Sequence, residues 1–159
     1  MSGIIGGGSK SGVIGERSFT GSDYFVASYT SGSGWHDISS NGVIPFNKIR
    51  YDDGGNYDTS AYKFTAPATG IYHFGCSIYT ADDDATNGWT FFIDGSAPFP
   101  AGMSVSQTHA MYKENQTGDY TIAVSLDYKL NAGQYVTTNA LTNSELSDYH
   151  SFWWGWRIK

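Results

Sequence analysis

The chain has 159 residues, one domain's worth, and a chain of this length buries roughly 68–70% of its unfolded surface without needing staples. Charged residues make only 15% and aromatics 16%, which excludes a disordered polyampholyte, and the net charge of −6 opposes phosphate backbones and anionic lipid, so neither nucleic acid nor membrane is an expected partner. The single cysteine, Cys76, excludes a disulfide framework and a cysteine zinc cluster, and no apolar stretch approaches the ~20 residues of a membrane helix.

Residues 1–18 are rich in Gly and Ser. Within them Ser2-Gly-Ile-Ile-Gly6 returns as Ser11-Gly-Val-Ile-Gly15. An idle linker has no use for two Ile/Val pairs, which favour burial. The expectation is an extended anchoring arm over 1–18, with Ile4, Ile5, Val13 and Ile14 as its apolar pegs, and a head over 19–159. The arm has no basic n-region or apolar h-region, and residue 2 is Ser rather than Gly, so neither signal-led export nor N-myristoylation is expected.

The head reads as strands and turns. Asn41-Gly42 and Asp53-Gly54-Gly55 are turn signals, and Thr69-Gly70 precedes a strand over 71–79. That strand places Tyr72, Phe74, Cys76 and Ile78 on one face and His73 on the other. Trp89-Thr-Phe-Phe-Ile93 is a short apolar run closed by Asp94-Gly95. Thr117-Gly118-Asp119 leads into a strictly alternating strand. There Ile122, Val124, Leu126, Tyr128 and Leu130 share the buried face. Asn131-Ala-Gly133 turns the chain, and 135–138 pairs back. No window carries a capped helical period, so an antiparallel all-β sandwich or barrel is predicted.

The last segment, Ser151-Phe-Trp-Trp-Gly-Trp-Arg-Ile-Lys159, is apolar on both faces. Phe152, Trp154, Trp156 and Ile158 fall on one side, Trp153 and Gly155 on the other. Such a strand needs cover twice. The sandwich core supplies one cover, and a loop or a neighbouring subunit supplies the other, aromatics being favoured at interfaces.

Specific residues resemble a known family. Ile44-Pro-Phe-Asn-Lys48, Asn56-Tyr-Asp58, Tyr62-Lys-Phe-Thr65 and Pro67-Ala-Thr-Gly-Ile-Tyr-His-Phe74 form an ordered series similar to the globular head of complement C1q and the related tumour-necrosis-factor jelly rolls. Ser125 to Gln134 resembles the family's strand ending in Leu-x-x-Gly-Asp, and Phe152-Trp-Trp-Gly-Trp156 resembles its closing Phe-x-Gly-Phe strand. Ala61 stands where the family usually has Gly, and Gln134 where it has Asp. The resemblance implies a ten-stranded antiparallel Greek-key jelly roll that assembles as a homotrimer and binds partners without catalysis. It implies Tyr72, Phe74, Phe152, Trp153, Trp154 and Trp156 as core and trimer-interface residues. The arm resembles the leaders of small bacteriophage structural proteins. Together these imply a virion protein, made in the host cytoplasm, released by lysis, and joined by its arm to other capsid, tail or fibre proteins. The alternative function is a head that binds a host-surface glycan or protein.

No residue pattern argues for catalysis. Gly-x-Ser-x-Gly is absent, and His36, His73, His109 and His150 are scattered without metal-site spacing. A polysaccharide hydrolase is the third reading, since a carboxylate pair is spatial and leaves no motif. No cofactor is expected. Asp82, Asp83 and Asp84 with Asn87 are the densest acidic cluster and the one candidate for calcium, though they lack the Asp-x-Asp-x-Asp-Gly order, and a solvated hairpin tip explains them more simply. For sugar stacking, Trp35 beside His36 and Asp37, or Trp89 near the acidic tip, are the candidates, against the simpler reading that large aromatics fill the core. Asn115-Gln-Thr117 is a glycosylation sequon expected to stay unmodified, and Cys76 an inert small hydrophobe.

Overall fold

The computed structural model describes residues 23–32, 34–80, 87–96, 111–113 and 119–159. The arm pegs Ile4, Ile5, Val13 and Ile14, the acidic cluster Asp82–Asp84 and the sequon lie outside the described residues. The described chain holds twelve strands. They are β1 (Tyr24–Ser28), β2 (Trp35–Ile38), β3 (Lys48–Asp52), β4 (Tyr57–Asp58), β5 (Lys63–Thr65) and β6 (Gly70–Thr80). There follow β7 (Asn87–Ile93), β8 (Met111–Lys113), β9 (Tyr120–Leu130), β10 (Tyr135–Ala140), β11 (Ser144–Ser147) and β12 (Phe152–Arg157). Among the described residues no helix is long and apolar enough to cross a membrane.

Two five-stranded sheets face each other, ordered β3-β1-β12-β6-β9 and β4-β5-β10-β7-β8, and every named strand pair is antiparallel. The ten expected strands are these two sheets. A third, two-stranded sheet, β11-β2, was not foreseen as a separate element. The first and last described strands are neighbours, since β12 lies between β1 and β6.

Alternation dictates the packing. In β6, Tyr72, Phe74, Cys76 and Ile78 are fully buried, and in β9, Ile122, Val124, Leu126 and Leu130 join them. In β12, Trp153 points inward and is fully buried. It meets Phe25 edge-on at 4.8 Å and Tyr57 at 5.3 Å, while Phe25 stacks on Phe64 at 4.8 Å. Phe64 comes from the opposite sheet, so these rings join the two layers, and aromatic pairs at such separations add ~0.5–1.5 kcal/mol each beyond burial. The Tyr57 hydroxyl donates to the Phe46 carbonyl at 2.8 Å, and burial pushes this phenol's pKa upward.

The turns follow from their side chains. Asp94 (φ 49°) and Gly95 (φ 78°) are both left-handed, giving the two-residue primed turn that suits a hairpin's twist. The Asp94 carboxylate accepts from Tyr135 N–H at 2.9 Å and Gln134 Nε2 at 2.8 Å, so Gln134, where the family pattern has Asp, ties two turns together. At the turn signalled by Asp53-Gly54-Gly55, the Asp52 carboxylate accepts from the backbone N–H groups of Asn56 (3.1 Å) and Tyr57 (2.9 Å).

Candidate functional site

The outward face of the β3-β1-β12-β6-β9 sheet is the most unusual surface of the described chain. Its middle strand, β12, turns Phe152, Trp154 and Trp156 outward, each half-buried, while Trp153 and Gly155 go inward. Cross-strand register builds rows. Trp154 lies between Val26 and Gly75, Trp156 between Tyr24 and His73, and Phe152 between Ser28 and Ser77. Tyr51, opposite Val26, extends the central row and is 61% exposed. Most sheet faces turned to water carry polar residues at these positions.

Charges rim the face. The Arg50 guanidinium lies 5.0 Å above the Phe152 ring, a cation–π contact. On the far side His73 packs its ring on Trp156 at 4.3 Å and places Nδ1 2.6 Å from Asp127 Oδ1. His73 faces away from Tyr72 and Phe74, as the alternation predicts, but its partners on β9 and β12 came only from the strand order.

A second feature stands where β6 meets the small sheet. Trp35, on β2, is 38% exposed and stacks on Tyr79 of β6 at 5.8 Å with planes 19° apart. Tyr79 donates its hydroxyl to Asp119 Oδ2 at 3.2 Å and touches the His150 ring at 5.3 Å. Burial and the Asp119 charge together raise the Tyr79 pKa, so the phenol stays neutral. Trp35 is thus exposed, as a stacking candidate must be. Trp89 is fully buried on β7, which β10 and β8 flank on either side, and the sandwich core claims it instead.

Beside it, Ser31 and Gly32 are held by Asp148. Its buried carboxylate accepts from Ser31 N–H at 2.9 Å and Gly32 N–H at 2.6 Å. Desolvation acts to raise this carboxyl's pKa, but the backbone donors outweigh it and hold the pKa below the ordinary range. Nothing in the local sequence around Asp148 signals this clamp, because its partners lie more than a hundred residues away.

The six core and interface residues predicted from the family pattern therefore divide. Tyr72, Phe74 and Trp153 belong to the interior of one chain, and Phe152, Trp154 and Trp156 to its outward face. Among the described residues no group of three or more His, Cys, Asp or Glu side chains could hold a metal ion.

The sequence pattern of the C1q domain matches residues 25–136. That range covers β1 to the start of β10 and stops short of the tryptophan-rich β12. No curated protein matches the chain. Several solved structures share its fold. Murine APRIL at pH 5.0 superimposes with a TM-score of 0.63 at 11% identity, covering 86% of this chain and 98% of that one. Eiger TNF from S. frugiperda gives 0.59 at 12%, covering 86% and 92%. The globular domain of zebrafish complement 1qA gives 0.57 at 13%, covering 86% and 98%. At these identities the likeness speaks to the fold alone. The family match over most of the chain, carried on two facing antiparallel sheets, makes this protein a member of the C1q domain family with its jelly-roll fold.

Proposed function

We propose that the chain is a non-enzymatic head that works as a homotrimer, three copies covering one another through the outward face of the first sheet. One observation carries this reading. Phe152, Trp154 and Trp156 line the middle strand of that face, flanked by Tyr24, Val26 and Tyr51, the last of them 61% exposed. Covering such a face removes apolar area from water at ~25 cal/mol per Å², and closed rotational symmetry covers every copy alike. Mass in solution tests it. Three times 17.3 kDa is expected, and a stable monomer at micromolar concentration overturns it.

The head's place is a bacteriophage particle, tethered by the arm over 1–18 to capsid, tail or fibre proteins. Support comes from the repeated apolar doublets Ile4-Ile5 and Val13-Ile14, spaced within glycines that let a backbone lie close to a groove. A chain lacking residues 1–16 is expected to fold and assemble yet no longer join particles. Normal incorporation of the truncated chain overturns the tether. A second reading, recognition of a host-surface glycan, is favoured by the exposed Trp35 stacked on Tyr79.

A further inference from the structure

We infer that the Trp35–Tyr79 ledge is a binding site for the flat apolar face of a neutral pyranose sugar. The inference rests on the glycan-recognition reading and names its site and ligand class. Every group of the ledge belongs to one chain, with Tyr79 at the end of the outward face of β6, one step beyond the Phe152–Ser77 row.

Trp35 and Tyr79 are nearly parallel, 19° apart with centroids at 5.8 Å, so Tyr79 backs the indole while Trp35, 38% exposed, offers its surface to a ligand. A cation prefers several ring faces converging on it. A flat ligand stacks on one open ring face. The C–H groups on one side of a pyranose are weakly positive and suit the negative face of an indole.

The ledge is also held in place before any ligand arrives. Trp35 is fixed by pairing with Ser147 on β11. Tyr79 is fixed by β9 on one side, by its backbone N–H donating to Ser151 Oγ at 3.1 Å, and by its hydroxyl on Asp119. The neighbouring Thr80 hydroxyl donates to the Glu145 carbonyl at 2.5 Å, which pins β6 to the small sheet. A pre-set aromatic ledge spares the ligand the entropic cost of ordering it.

Polar groups around the ledge are those that sugar hydroxyls need. Asp37 follows Trp35 by two residues on the same strand face and pairs in register with Glu145. Asp119 lies at the Tyr79 hydroxyl and His150 at its ring. Carboxylates accept from hydroxyls. The same carboxylates, on a chain of net charge −6, repel carboxylate-bearing sugars, so charge selects neutral ones.

The test is a titration of the full-length chain, followed by the indole N–H resonance of Trp35. The probes are methyl β-glucopyranoside, methyl β-galactopyranoside and methyl α-mannopyranoside, with N-acetylneuraminic acid and tetramethylammonium as charged contrasts. At least one neutral pyranoside is expected to shift the Trp35 resonance saturably, and the acidic sugar is not. Trp35→Ala is expected to weaken that binding about tenfold or more, while Tyr135→Ala, at the other end of the sandwich, leaves it unchanged. The wild-type titration carries the result by itself if the variant misfolds. A pyranoside that binds without moving Trp35 overturns this site and leaves glycan recognition standing. Binding of no pyranoside overturns both. A shift larger with tetramethylammonium or the acidic sugar than with any neutral probe overturns the ligand class.

Discussion

The indole of Trp154 lies flat across Gly75. A Cβ placed on Gly75 falls 2.5 Å from the Trp154 ring carbons, closer than any real contact. Gly155, one residue further along β12, meets the same problem on the inner face, where a Cβ falls 2.6 Å from Phe74 and 2.8 Å from Phe25. The outcomes should differ, because Trp154 can swing outward while two interlocked core rings cannot. Gly155→Ala is expected to cost ~1–3 kcal/mol in urea unfolding, the usual price of overpacking. Gly75→Ala is expected to cost less in the monomer but to lift Trp154 off the sheet and reduce the trimeric fraction. Equal unfolding costs for the two variants would contradict this division.

Adjacent tryptophans on β12 make a second contrast. Trp153→Ala empties a site packed by Phe25, Phe46 and Tyr57, and ~3–5 kcal/mol of stability is expected to go with it. Trp154→Ala removes an outward ring. Its effect is expected in light scattering, as a mass falling from three chains toward one, with the midpoint of a diluted monomer little moved. If Trp154→Ala leaves the mass unchanged, the outward face is not the contact.

Cys76 offers a probe of the interior. The thiol is fully buried, and desolvation pushes its pKa well above the ordinary thiol value. A thiolate is the reactive species. The native chain at pH 8 is therefore expected to resist a thiol-specific reagent and to react at the rate of global opening, rising steeply across the urea transition. Fast labelling of the native chain would place a local opening between β6 and β9.

Asp148 gives the chain an acid-sensitive loop. Its folded pKa is depressed below the ordinary 3.8, so its stabilising effect is fully present above that value and is lost as pH falls through the lower, folded one. The amide shifts of Ser31 and Gly32, its hydrogen-bond donors, are expected to titrate together with a midpoint below 3.8. Asp148→Asn is expected to abolish that titration. A midpoint above the ordinary value would mean that desolvation, not the donors, governs the group.

Much of this was written along the chain. Period-two alternation in 71–79 and 121–130 determined which side chains enter the core, because a strand has only two faces and one must be dry. Asp94-Gly95 determined its own turn, since few residue pairs accept two left-handed conformations in succession. The alternation in β12 determined that Trp153 turns inward and that Phe152, Trp154 and Trp156 turn outward. What the sequence left open were pairings between distant segments. Nothing near Trp35 indicates Tyr79, nothing near Ser31 indicates Asp148, and nothing near His73 indicates Asp127 and Trp156. Local pattern fixes which way a side chain points, whereas its partner depends on strand order and register. Those are decided by how the sheets as a whole pack, and only the tertiary structure records them.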